Sequence, residues 1–230
     1  MISELENVLT KNRADFHPVI KFNSAKEKLF QFDFTDNNKI LGASEIADTN
    51  LFIDYVNRTL KGNDAHYGIG GYKENRKLYR RSELFAGEEA RSLHLGVDIW
   101  GPAGTPVYAP FGGMVHSFAY NEGFGDYGAT IILLHQLQTI SFHTLYGHLS
   151  LKDISTLQEG EYINRGQVIG HFGEPAENGN WPPHLHFQII KDMNLLEGDY
   201  PGVCKLSERE LYEANCPDPD LILNMMQYVK

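Results

Sequence analysis

The chain has 230 residues, of which 42% are hydrophobic and 22% charged, and its formal net charge is −10 at pH 7. This length and apolar content suit a folded protein with one sizeable core and exclude a disordered chain. The acidic charge, without an evident basic patch, argues against a nucleic-acid partner, because phosphate binding depends on clustered lysine and arginine. No apolar run is long enough to span a bilayer, so membrane insertion is not expected.

The first twenty residues lack a cationic segment followed by an apolar one, which is the pattern of a secretory leader. We therefore expect the protein to be cytoplasmic. Its two cysteines, Cys204 and Cys216, are too few for a disulfide framework and lack the spacing of a metal site. We expect free thiols, with one or both packed as small apolar side chains.

Residues 1–85 read as a mixed α+β extension. The stretch SELE has the Ser-x-x-Glu form of a helix capping box. The alternating run LFQFDF predicts a strand, because every second side chain of a strand lies on the same face. The segment DTNLFIDYVNRTLKG has helical spacing of its apolar residues and predicts a helix that ends at Gly62.

Residues 86–195 have a different texture and are predicted to form the core domain. Short apolar or alternating runs are separated by Gly, Pro and Asn at short intervals, which is typical of an antiparallel β sandwich or barrel. Residues 196–230 contain a further capping box, SERE, and a final amphipathic segment. They predict a tail of short helices packed on the core.

The stretch WPPHLHFQII places His184 and His186 two residues apart on a predicted strand, and therefore on one face. Two protonated imidazoles side by side would repel, so a metal ion is the leading candidate to organise them. The motif HLGVDIW offers His94 and Asp98 as further ligands. Together with one imidazole of the later pair they make a three-ligand set, which catalytic zinc sites use while leaving a fourth position for water.

Four motifs in order, HLGVDIWGPAGTPVYAPFGGMV, TLYGHLS, EGEYINRGQVIGHFG and PPHLHF, resemble zinc metallopeptidases of the LytM and lysostaphin type. The resemblance covers roughly residues 93–190, and that family cleaves short peptide bridges and stems of peptidoglycan. It implies a small antiparallel β fold with an open groove and one Zn²⁺ per chain. It further implies zinc binding by His94, Asp98 and His186, with His148 and His184 as the catalytic histidines.

The resulting hypothesis is a zinc metalloendopeptidase that acts on a peptidoglycan-like or small soluble peptide. One alternative is a catalytically silent module of the same fold that binds peptide or glycan, but no ligand is missing from the set. The other is a carrier or phosphotransfer domain, since TPVYAPFGGMV also resembles hairpins of such folds. A lipoyl carrier needs an exposed hairpin lysine, and a phosphotransfer histidine would not explain His94 or Asp98.

The sequence departs from the family pattern at two places near the histidine pair. Gln188 stands where many members have Glu, and the lead-in is NGNWPP; we expect both to alter the cleft and not the metal position. Upstream, Asn75 lies in a glycine-preceded loop. Because latent members fill the open zinc position with an upstream asparagine, Asn75 is a candidate inhibitory residue. The remaining histidines, His135 and His143 among them, are expected to be solvated or hydrogen-bonded.

Overall fold

A computed structural model describes residues 3–229 of the chain. Most of its regular structure is β, as predicted. The strands are β1 (Leu29–Phe32), β2 (Tyr67–Gly70), β3 (Leu93–His94), β4 (Val97–Trp100), β5 (Pro106–Tyr108), β6 (Gly113–Asn121), β7 (Gly128–Leu137), β8 (Ile140–Leu149), β9 (Tyr162–Ile163), β10 (Val168–His171), β11 (His184–Ile190) and β12 (Val203–Cys204). The helices are α1 (Glu4–Asn12), α2 (Ala43–Ala47), α3 (Thr49–Gly62), α4 (Leu151–Ile154), α5 (Arg209–Asn215) and α6 (Asp220–Leu223).

Eight strands form one large sheet in the order β1-β2-β4-β11-β8-β7-β6-β9. The β1–β2 pair is parallel and the other neighbours are antiparallel, so the sheet is mixed. Two small sheets, β10-β5 and β12-β3, complete the β structure of residues 3–229. The predicted mainly β core is confirmed. Over the described residues its large sheet is open, and it does not close into a barrel.

The N-terminal extension has the predicted mixture of helix and strand. Ser3 caps α1 through the predicted capping box, and α3 ends at Gly62 as expected. The two parallel strands are joined by a crossover that contains α2 and α3, as parallel strands require. Because β2 pairs directly with β4, the large sheet runs across the proposed boundary at residue 85, and that boundary stays a prediction.

An aromatic cluster connects the extension to the strands that follow. Phe34 and Phe52 of the extension pack on Trp100, with ring centroids 5.4 and 5.9 Å away. Phe52 also contacts Trp181 edge-on at 6.3 Å. All four side chains are buried, and aromatic pairs at these distances add to the free energy gained by burying their area. The extension is thereby fixed against the sheet face that carries the two histidines of HLH.

Cys204 and Cys216 are free and buried, as predicted. No helix within residues 3–229 is both long and apolar enough to cross a membrane.

Candidate metal centre

Two adjacent antiparallel strands place the central side chains of the site. In the register of β4 with β11, His186 lies opposite Asp98 and His184 lies opposite Trp100. Directly opposed residues in an antiparallel pair share a face, so all four side chains lie on one surface of the sheet. His94 comes from the short strand β3, whose register places it opposite Val203 of β12.

Three side chains converge on one point. His94 Nε2 lies 3.0 Å from His186 Nδ1 and 3.2 Å from Asp98 Oδ1. The third distance, from His186 Nδ1 to Asp98 Oδ1, is 3.0 Å. All three residues are buried, and they form the His/Cys/Asp/Glu cluster of residues 3–229 whose geometry could hold a metal ion. The sequence-predicted ligand set is therefore brought together in space.

Hydrogen bonds on the far side of each imidazole fix which nitrogen carries the proton. His94 Nδ1 lies 3.1 Å from the Gly71 carbonyl oxygen, so this nitrogen is the donor and Nε2 keeps its lone pair. His186 Nε2 donates to Gln188 Oε1 at 2.9 Å, which leaves Nδ1 bare. Two lone pairs and a carboxylate oxygen thus face one another, an arrangement of three acceptors that a cation would stabilise.

The donor set fits zinc. With zinc–ligand bonds of about 2.0–2.2 Å, tetrahedral geometry separates neighbouring ligand atoms by about 3.3 Å, close to the 3.0–3.2 Å found between His94, Asp98 and His186. Imidazole nitrogens favour zinc over magnesium or calcium, which prefer shells of oxygen. One carboxylate leaves such a site with a net positive charge. These three residues would hold the ion.

The protonation states suit metal binding. Burial and the nearby Arg76 guanidinium lower the pKa of His94 to about 3. Burial alone would raise the pKa of Asp98, but His94, Arg76 and His186 outweigh it and hold that pKa well below its usual value. Near neutral pH the site therefore presents a neutral His94 and an ionised Asp98, which are the forms that bind metal.

Two further histidines stand beside the ligands. The rings of His148 and His184 are 4.1 Å apart between centroids. His148 Nδ1 donates to the Asn178 carbonyl at 2.9 Å, and His184 Nδ1 donates to the Pro182 carbonyl at 2.8 Å. In both rings Nε2 keeps its lone pair and can accept a proton. Both histidines line the cleft together with His186 and Asp98.

Burial keeps this second pair neutral. It lowers the pKa of His184 to about 4, and burial with the adjacent His184 and His186 lowers the pKa of His148 well below its usual value. His148 also has a left-handed backbone, with φ of 62°, which is uncommon for a residue other than glycine and collects at functional sites. Its backbone is held by bonds to Tyr127 and Gly173.

Packing fixes the orientation of the rings. Trp100 stacks on His184 with centroids 4.0 Å apart and an angle of 11° between the planes. Gly96 is the glycine of HLGVD, and a Cβ at this position would lie 2.4 Å from Cε1 of the His186 ring. The small residue is therefore required by the close approach of this imidazole.

Gln188 lies beside a proposed metal ligand. This side chain is fully buried and its amide nitrogen donates to the Pro201 carbonyl and to Cys216 Sγ at 3.2 and 3.3 Å. That orientation turns Oε1 towards His186 Nε2. Gln188 therefore contacts a proposed ligand and is not among the residues that line the cleft.

The extension reaches the site with a different residue from the one proposed. Asn75 is exposed and forms a backbone bridge with Leu93. The next residue, Arg76, is buried and hydrogen-bonds Asp98. Sequence reasoning missed Arg76, because nothing in the run KENRKLYRR separates it from the arginines that follow.

His135 has the structural role expected of it. The ring is buried, Nδ1 donates to the Gly112 carbonyl at 3.0 Å, and Nε2 lies 2.7 Å from Thr144 Oγ1. Neither His135 nor His143 is among the residues that line the cleft at the three-ligand cluster.

Part of this chain is similar to known peptidases. Residues 92–197 match the model of peptidase family M23. The chain is 31% identical over 130 residues to an L-Ala–D-Glu endopeptidase of Bacillus subtilis, a match that covers 54% of this chain and 37% of that protein. It is 32% identical over 97 residues to the peptidoglycan DD-endopeptidase ShyC of Vibrio cholerae, covering 42% of this chain and 20% of the relative. The chain thus spans well under half the length of these relatives.

Among solved structures, the catalytic domain of lysostaphin from Staphylococcus simulans is similar at 21% identity and a TM-score of 0.39, over 70% of this chain and 97% of that one. The matched segment 92–197 contains all five histidine and aspartate residues of the site. Residues 92–197 of this chain belong to peptidase family M23, the LytM type.

Proposed function

We propose that this protein is a zinc-dependent peptidase, with zinc held by His94, Asp98 and His186 and proton transfer carried out by His148 and His184. The observation that carries the proposal is the buried triangle of three unprotonated ligand atoms, with sides of 3.0–3.2 Å. The bonds from His94 Nδ1 to Gly71 and from His186 Nε2 to Gln188 turn the N–H groups away from the triangle, so no proton links its three atoms. A cation would satisfy all three atoms at once.

Zinc, when bound, would polarise the scissile carbonyl and lower the pKa of water towards neutrality. The chain's own residues supply the rest. Peptide hydrolysis needs a base that takes a proton from the attacking water and a donor that returns a proton to the departing amine. His148 and His184 each offer an unprotonated Nε2 within one cleft. One imidazole can perform both transfers in sequence.

The nearby backbone and rings hold these two imidazoles for that task. Each Nδ1–H is bonded to a carbonyl oxygen, so each Nε2 is left without a proton, and both residues line the cleft. The stacked Trp100 prevents His184 from turning. Fixed acid–base groups of this kind typically contribute about 10²–10⁴-fold to a rate.

The substrate we propose is a short peptide of the peptidoglycan type, or a small soluble peptide with a similar bond. Support comes from the relatives, an L-Ala–D-Glu endopeptidase of Bacillus subtilis and a peptidoglycan DD-endopeptidase of Vibrio cholerae. Part of the cleft wall comes from outside the family segment, residues 92–197, since Tyr79 and Phe85 of the extension line the cleft. We therefore expect the preferred peptide to differ from that of the relatives.

The test is a measurement of metal content and cleavage on the same preparation. Purified protein is expected to retain about one zinc per chain after dialysis and to release new amino groups from a panel of muropeptides and free peptides, detected by mass spectrometry. A His94→Ala variant serves as the matched control and should lose both properties. Full zinc occupancy in that variant would contradict the ligand assignment.

The two other hypotheses make different predictions. A silent module of the same fold would bind zinc and peptide without cleavage in the same panel. A carrier or phosphotransfer domain would not depend on zinc. The assembled set of His94, Asp98 and His186 favours the peptidase over the carrier.

A further inference from the structure

Arg76 is a fully buried arginine that lies outside the family segment. Its Nε donates to Glu74 Oε2 at 2.6 Å, and its Nη1 donates to Asp98 Oδ2. The other oxygen of Glu74 accepts the backbone N–H of Phe34 at 3.0 Å. A buried guanidinium is costly unless it is paired, and here two carboxylates pair it. A continuous chain of bonds therefore runs from Phe34, two residues after β1, through Glu74 and Arg76 to a proposed zinc ligand.

Strand β2 makes room for this guanidinium. Gly70 lies opposite Asp98 in the β2–β4 register, on the face that carries the ligands. A Cβ at Gly70 would lie 2.6 Å from Arg76 Nη2, which is closer than real Cβ contacts allow. The absence of a side chain at Gly70 thus leaves room for the guanidinium next to Asp98.

Arg76 divides the two oxygens of Asp98 between two tasks. Oδ2 accepts from the guanidinium, whereas Oδ1 faces His94 Nε2 and His186 Nδ1 at 3.2 and 3.0 Å. With one oxygen held, the carboxylate cannot rotate, and a single oxygen remains for a metal. Partners that hold ligands in this way typically change metal affinity by about 10–100-fold when they are removed.

The same segment also holds a second ligand. The carbonyl of Gly71 accepts the His94 Nδ1–H bond at 3.1 Å. On the backbone, Lys73 N–H donates to the His94 carbonyl at 2.9 Å and His94 N–H donates to the Glu74 carbonyl at 3.0 Å. Residues 71–76 therefore position two of the three proposed ligands, although the family segment begins only at residue 92.

We propose that Arg76 is a positioning residue of the metal centre. The extension that supplies it is then required for tight metal binding at the peptidase site. This inference rests on the proposed zinc site. It differs from an inhibitory role for the extension, because Arg76 binds the side of Asp98 that faces away from the ligand triangle and leaves Oδ1 free.

The experiment uses the full chain and measures zinc affinity by chelator competition, together with the visible absorption of the cobalt-substituted protein. The double variant Glu74→Gln/Arg76→Met removes the guanidinium together with one of its two carboxylates, so the net charge of the site is unchanged and Asp98 keeps its own charge for the metal. We expect zinc affinity to fall about 10–100-fold and the cobalt spectrum to change, because Asp98 is free to rotate. Arg76→Lys keeps the charge but cannot bridge both carboxylates, and should lose less.

A second variant keeps every charge. Gly70→Ala should push the guanidinium away from Asp98 and weaken zinc binding in the same direction, even where the double variant does not fold. Two controls should match the wild type in all measurements: Gly62→Ala, where a Cβ meets nothing within 4 Å, and Arg80→Met, which removes an exposed arginine paired with Asp36.

The outcomes separate the two proposals. Wild-type protein that binds zinc and cleaves peptide, with folded Arg76 and Gly70 variants of unchanged affinity and cobalt spectrum, would overturn the role of Arg76 alone. Wild-type protein that binds no zinc would overturn the proposed function, and the role of Arg76 with it. A parallel loss in the double variant and in Gly70→Ala, with partial recovery in Arg76→Lys, would support the positioning role.

Discussion

His184 and His186 lie on the same face of one strand but have different partners across the sheet, Trp100 for the first and Asp98 for the second. One imidazole is stacked on an indole and presents a bare nitrogen to the cleft. The other points its bare nitrogen at a carboxylate and a second imidazole. The two histidines of HLH should therefore fail differently when they are replaced.

His186→Ala removes one of three metal–ligand bonds, so we expect zinc retention and activity to be lost together. His184→Ala leaves the three ligands in place and should keep zinc while kcat falls by about 10²–10⁴-fold. Zinc content and turnover are measured on the same preparations, with the exposed His66→Ala as control. Loss of zinc in His184→Ala with retention in His186→Ala would reverse the assignment.

The ring contact between His148 and His184, 4.1 Å between centroids, predicts that the two act as a unit. His148→Ala should lower kcat by about 10²–10⁴-fold and keep zinc. The double variant should cost less than the product of the two single effects, because groups that share one task are not additive. Independent, multiplicative losses of kcat would show that the two imidazoles serve separate steps.

Gln188 is expected to support zinc binding through His186. Gln188→Leu removes the acceptor of the His186 Nε2–H bond, so the ring is free to turn or to change tautomer, and zinc affinity should drop by about 10–100-fold. Chelator competition measures the change. Cys216→Ser is the matched control, since it keeps an acceptor for the Gln188 amide. Wild-type affinity in a folded Gln188→Leu protein would contradict the role of Gln188.

His135 should make the fold sensitive to mild acid. Burial lowers the pKa of this histidine from an ordinary value of 6.5 to about 4. Between these values the unfolded chain binds a proton that the folded protein does not, so the free energy of unfolding falls as pH drops. The free energy of unfolding falls by about 1.4 kcal/mol for each pH unit within that window. Above pH 6.5 none of this stability is lost.

Urea unfolding of the wild type and of His135→Gln, measured from neutral pH down to about pH 4, tests this dependence. The variant should be less stable at neutral pH but should lose less stability on acidification. Other buried histidines contribute to both proteins and cancel in the comparison of slopes. Equal slopes would show that His135 does not titrate between its folded and unfolded states in this way.

The five residues of the proposed site were predictable because their signals are local. The i, i+2 spacing of His184 and His186 fixes a common face on any strand, and the motif around His94 and Asp98 resembles a known family. The mainly β texture of the core followed from short runs between turn residues. Such signals involve residues that are close together along the chain, so they can be recognised without the structure.

The partners of these ligands were not predictable in the same way. Arg76 is buried while Arg80, four residues later, has an exposed side chain, and composition does not distinguish them. The difference arises from the β2–β4 register, which places Gly70 opposite Asp98, and register across distant strands is not written in a local pattern. For the same reason the sequence predicted that Asn75 approaches the cleft, whereas the residue that lines the cleft is its neighbour Arg76.

The strand order β2-β4-β11 has a consequence for how the protein reaches its native state. Groups at residues 71, 76, 94, 98, 186 and 188 meet around one point, although more than a hundred positions of chain separate the first from the last. Contacts between such distant segments are slow to form, because a long loop must close before any of them is gained. The ligand triangle needs β3, β4 and β11 in place, and the bonds that hold two of its members need residues 71–76 as well. Tight zinc binding should therefore be among the last properties to appear on refolding. The time at which it appears would report when β1 and β2 dock onto the other strands of the large sheet.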